Sequence, residues 1–395
     1  MASSIETTST TTTLKNNGNT YLSVDTNDAV TFATGGISVS SLNGGQLGGR
    51  RNIVMNGEMK VAQRSASVAG LGAASGYFTL DRWAMSNGDA SAGRYTMAQV
   101  ADGPAGFANC LKLTTTTADT SIAAGEALVL GTKFEGQDVQ QLQKGTATAK
   151  QVTVSFYVKG NANALYVCEL EDNDNARINT QSFAVTTAWN RIELTFAADT
   201  SDPLDDDNAK SLSLNWWFHA GSTYSGGTFA SNTWADTVQA NRCAVDDFTS
   251  IFDATSRTFF ITGVQMELGS VATPFEHRTY GTELALCQRY YERVTAGSAH
   301  STFVSGFCTT TTASQATLSY SAKRAVPTIT FSAASTFRVA HENSAKACTS
   351  ISASEIGDRI AIIDAGVSSG LTAGQGMGIT ANNDATAYYE LNAEL

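Results

Sequence analysis

Residues 211–220 read SLSLNWWFHA, and their alternation decides how the chain folds. A side-chain period of two marks a strand with one face in a core. It sets Leu212, Leu214, Trp216 and Phe218 on one side, with Asn215, Trp217 and His219 on the other. The pattern recurs upstream at 151–160, QVTVSFYVKG, where Val152, Val154, Phe156 and Val158 oppose Thr153, Ser155, Tyr157 and Lys159. Residues 189–197, WNRIELTFA, repeat it with Ile192, Leu194 and Phe196. Residues 259–269, FFITGVQMELG, close the set, with Phe260, Thr262, Val264, Met266 and Leu268 expected inward. Half-buried strands joined by polar loops predict an all-β chain built round a two-sheet jelly-roll sandwich at 51–280.

Composition points the same way. The 395 residues are 42% hydrophobic but only 15% charged, too few charges for coiled coils or long exposed helices. The net charge of −11 repels phosphate backbones, so nucleic acid is not an expected partner. No apolar run reaches the roughly 18 residues of a membrane span, so membrane insertion is not expected. Six scattered cysteines without a C-x-x-C pair read as free, buried thiols of a protein made in a reducing cytoplasm.

The ends differ from the middle. Residues 1–50 hold a threonine run, three short strand patterns within 14–33 and a Gly-rich connector. Strands so short need a partner surface, which predicts an attachment segment. Residues 281–295 predict one short connecting helix. Residues 296–395 return to short strands and predict a small, self-associating C-terminal β tip domain.

Several motifs resemble a sandwich module of bacteriophage tail-fibre and related virion proteins. They are Asn52–Met59 with Gln63-Arg64, Tyr77–Trp83, Glu135–Val139, Gly263–Arg278 and Glu283–Glu292. Asn19–Asp28 is similar to short β-repeats near the attachment ends of phage fibres. The resemblance implies a carbohydrate-binding-module-like jelly roll displayed on a virion as a homotrimer. Residues 1–50 would then bind other phage proteins, and host surface polysaccharide would be the ligand. The alternative is a purely structural virion component, a capsid-decorating fibre or tail adaptor, binding only phage proteins.

Catalytic signatures are missing: the chain has no G-x-S-x-G, no H-E-x-x-H and no Walker loop, so no enzyme is expected. A depolymerase would instead need two carboxylates about 5 to 9.5 Å apart in a groove. No cofactor is expected, although residues 171–175 (EDNDN) and 205–207 (DDD) leave a structural calcium open. Sugar binding asks for flat aromatic faces beside hydrogen-bonding side chains. Trp217 leads the candidates, either stacked on a sugar or packed under a loop or against a neighbouring protomer. Asn215 and His219 share its face, Tyr157 and Gln265 are expected to line the same sheet, and Tyr224 and Trp234 lie in the following loop.

Overall fold

In the computed structural model, the residues described are 3–7, 11–16, 19–25, 30–32, 50–89, 91–342 and 344–395. They divide into two compact units, Met1–Gly49 and Arg50–Leu395. The first holds a four-stranded antiparallel meander: Ser3–Thr7, Thr11–Asn16, Asn19–Asp25 and Val30–Phe32. The threonine run is therefore partly strand, since strands end at Thr7 and begin at Thr11.

The second unit opens with the two facing sheets. The seven-stranded sheet runs Ala235–Asp236, Arg177–Val185, Ala164–Asp172, Lys210–Ala220, Ala127–Glu135, Ala84–Asn87 and Gly76–Tyr77. The six-stranded sheet runs Asn190–Phe196, Val152–Gly160, Thr258–Leu268, Cys110–Thr117, Arg94–Val100 and Ser67–Leu71. Between them lies one core containing Val152, Val154, Phe156, Val158, Leu212, Leu214, Trp216 and Phe218, the faces that alternation selects. Ile192 and Leu194 pack against it, and Phe196 is fully inside.

Strict alternation fails in Thr258–Leu268. Phe259 and Ile261 point inward, and Phe260 and Thr262 do not. The register slips opposite Ser155–Tyr157, where Gly263 takes φ +61°. An extra residue at a bulge flips every side chain before it to the other face. Val264 and Met266, past the bulge, are inward as expected.

The motifs carrying the resemblance converge. Asn52 and Asn56 backbone amides donate to Glu276 and Glu283, and the Trp83 indole donates to Asn56 O. Arg289 and Tyr290 bind the fully buried Glu135. Residues far apart in sequence thus satisfy each other's buried polar groups.

The helix is shorter than 281–295: it spans Tyr280–Gln288, capped by Thr279, and Tyr291–Thr295 is a strand. Residues of the expected tip form a closed six-stranded barrel: Thr302–Cys308, Ala313–Ser319, Ile360–Val367, Ser344–Ser354, Phe337–His341 and Gly376–Ala381. It has its own core. The chain then returns, pairing Tyr388–Asn392 with Tyr291–Thr295 and Thr328–Phe331. Glu394 reaches the sandwich and pairs with Arg82 and Arg64. Asp81 lies 3.6 Å from Arg64. All six cysteines are free and buried. Among the described residues no helix is long and apolar enough to cross a membrane.

Candidate functional site

Three adjacent strands of the seven-stranded sheet set out a grid on the face away from the core. Val129, Trp217 and Val167 form one row, Gly131, Asn215 and Glu169 the next, and Lys133, Ser213 and Glu171 the third. Directly paired residues share a face, so the grid follows from register alone. Over it lies a groove of about 260 Å³, walled by Ser86, Asn87 and Gly88 on one side and by Tyr224 and Arg242 on the other. Gly131 keeps the floor low: a Cβ there would lie 2.6 Å from Asn215 Oδ1.

The apolar end is built by Trp217. Its ring lies 5.2 Å from Tyr224, which a short helix at Ser222–Ser225 presents, and 5.5 Å from the Arg242 guanidinium. Trp217 is only 5% exposed, so it is the floor of the groove and not a free stacking platform. Tyr224, half-buried, offers the more accessible ring.

The polar part centres on Arg242. Its two terminal nitrogens each lie 2.6 Å from a carboxylate, one from Glu169 and one from Glu171. Asn215 Nδ2 donates to both carboxylates, at 3.1 and 3.2 Å. Burial pushes the Glu169 carboxyl up to about 7, against the pull of Arg242. Glu171 is also burdened by burial, but Arg242 outweighs it and holds that carboxyl below the ordinary range. Lys210 and Lys133 stand at the groove's other end, Lys133 donating to Leu395 O at 2.6 Å.

Of the seven residues that the sequence nominates, Asn215, Trp217 and Tyr224 meet here. His219 does not. The register slips between Leu128, which pairs with His219, and Val129, which pairs with Trp217. That bulge at Phe218 turns His219 inward, where it is fully buried, bonded to Ser250 and Glu126 and 5.1 Å from Phe252. Tyr157 and Gln265 belong to the other sheet. Tyr157 packs 5.3 Å from Phe107, and buried Gln265 fastens the 273–276 loop through Thr273 and Glu276. Trp234 caps the sandwich edge, its indole donating to Ala197 O.

Sequence reading missed Arg242, Glu169, Lys133 and Lys210, and considered Glu171 only for calcium. The available signal was Glu169 and Glu171 at alternate positions of one strand, which places both on the face of Asn215.

The acidic runs do not fit a calcium ion. Asp172 Oδ2 and Asp199 Oδ2 are taken by Lys144, and Asp199 also binds Arg177. Among the described residues, no group of three or more His, Cys, Asp or Glu side chains could hold a metal.

No known family model matches the chain, and no curated protein matches it. It is similar to solved structures at low scores. One is the family 11 carbohydrate-binding module of a cellulosomal cellulase of Clostridium thermocellum, at 14% identity and TM-score 0.26 over 54% of this chain and 100% of that one. A second is the CBM22-1 xylan-binding domain from Paenibacillus barcinonensis, at 12% identity and TM-score 0.25 over 57% and 100%. A third is the enzymatically active domain of bacteriophage CBA120 tailspike protein 4, at 12% identity and TM-score 0.27 over 55% and 21%.

Proposed function

We propose that the chain is a non-enzymatic, glycan-binding appendage of a phage virion, attached through residues 1–50 and assembled as a homotrimer. The observation that carries glycan binding is the groove. It joins an apolar end, Trp217 and Tyr224, to a dense set of hydrogen-bonding groups at Asn87, Ser213, Asn215, Glu171 and Lys210. A pyranose ring offers an apolar face and a rim of hydroxyls, and this lining matches both.

Binding without hydrolysis is favoured by how the two carboxylates stand. Glu169 and Glu171 project two residues apart from one strand and share one guanidinium. A glycosidase pair flanks the scissile bond from two sides. Attachment through the N-terminus is supported by its single meander, whose strands of three to seven residues bury little alone. Weak single sites repeated round a particle gain through avidity.

The test is titration of the full chain with candidate host polysaccharides and intact cells, beside Tyr224→Ala and Gly131→Ala. Each variant is expected to weaken binding at least tenfold, about 1.4 kcal/mol. Gly131→Ala acts by displacing the Asn215 amide. Saturable binding unchanged in both variants moves the site off this groove. No binding to any host, with retention of phage-protein binding, favours the purely structural component. No new reducing ends should appear, and sedimentation equilibrium should give three times 41.5 kDa.

A further inference from the structure

Outside the groove, Lys144 sits in a cage of oxygens. Its ammonium nitrogen lies 2.5 Å from Asp172 Oδ2 and 3.1 Å from Asp199 Oδ2. It also donates to two main-chain carbonyls, Ser201 O at 3.0 Å and Asp202 O at 2.8 Å. The three side chains are sealed, at 5%, 0% and 4% exposure for Lys144, Asp172 and Asp199.

The backbone is shaped to close this cage. Gly145 takes φ +80°, and a Cβ on it would lie 2.4 Å from Pro203 N. Asp172 Oδ1 accepts from the amides of Asp174 and Asn175, and Asn175 Nδ2 spans Asp172 Oδ2 and Pro203 O. The cage therefore ties the 172–175 turn to the 199–203 loop through Lys144, with Arg177 as a second cation on Asp199.

Two carboxylates and two carbonyls are the donors that a hard divalent cation selects, and such an ion takes six to eight oxygens. An ammonium has only three hydrogens to share. Four oxygens round Lys144 thus exceed what it can satisfy singly. A solvent-open depression of about 360 Å³ borders residue 144 beside Pro203 and Leu204.

We propose that Lys144 is a tethered cation standing where a divalent metal ion would otherwise hold these loops. The sandwich edge is thereby metal-independent, and shortening residue 144 opens a calcium site. This inference does not depend on what the groove binds.

The experiment is thermal unfolding of the full chain in EDTA and in millimolar calcium, with terbium luminescence sensitised by Trp234, whose ring is 5.5 Å from the ammonium. The unaltered protein is expected to melt at the same temperature in both buffers and to give no terbium signal. Lys144→Ala should melt several degrees lower in EDTA, recover at least half of that loss in calcium, and give saturable luminescence. Lys144→Met keeps the aliphatic stem but fills the space, so it should be destabilised without recovery. Stability of Lys144→Ala equal to that of the unaltered chain in EDTA overturns the proposal. So does a destabilised Lys144→Ala with neither calcium recovery nor terbium signal, or its failure to fold in both buffers while Lys144→Met folds.

Discussion

Asp81 shows how one residue's surroundings set a property of the folded chain. It is fully buried, and burial pushes its carboxyl up to about 6, against hydrogen bonds from Gln63 and the charge of Arg64. In the unfolded chain the group titrates near 4. Between about pH 4 and 6 the folded state therefore holds more protons than the unfolded one, so this group's contribution is full below 4 and lost as pH rises through 6. Asp81→Asn removes that titration. Urea denaturation from pH 4 to 7 should show the variant gaining on the unaltered protein by up to roughly 3 kcal/mol as pH rises. Parallel stability curves would refute this. Glu169 shifts in the same direction, but it titrates in both proteins and cancels from the difference.

At the scale of elements, two bulges do the positioning. The one at Phe218 removes His219 from the groove, and the one at Gly263 divides Phe259–Ile261 from Val264–Met266. Gly263 is required there, because a Cβ would lie 2.7 Å from Phe107 and 2.9 Å from Tyr157. Gly263→Ala is expected to cost about 1–3 kcal/mol through its left-handed backbone and that crowding. A lowered urea midpoint at unchanged slope would show it, and an unchanged midpoint would mean the Phe107 and Tyr157 rings simply move aside. The strands themselves were legible in the sequence wherever large apolar residues alternate, as in 151–160 and 211–220. Barrel strands such as Ser344–Ser354 were not, since SAKACTSISAS alternates small residues with little contrast in hydropathy.

For the second unit as a whole, the question is whether barrel and sandwich unfold together. Glu394 pairs with Arg82, whose side chain is only 2% exposed and stacks 3.5 Å over Tyr290. Removing one partner of a sealed ion pair costs about 3–5 kcal/mol, because the other charge stays buried. All five tryptophans lie between residues 83 and 234, so their fluorescence reports the sandwich alone. In the unaltered chain, fluorescence and far-ultraviolet circular dichroism should give coincident denaturation curves. Glu394→Ala should separate them, the dichroism of the barrel strands no longer following the tryptophans. Coincident, unshifted curves in the variant would show that Glu394 does not couple the two parts.

The sequence by itself determined the all-β character, the main inward faces and the presence of Asn215 and Trp217 on an outward face. Those are properties of neighbours in the chain, and a period of two is written locally. The tertiary structure decided the rest. Arg242 meets Glu169 across 73 residues, and Lys144 meets Asp172 and Asp199, only because strand order brings them together. Alternation says which way a side chain points along its own strand. It carries no information on which strand lies beside it, or on where one inserted residue reverses the pattern.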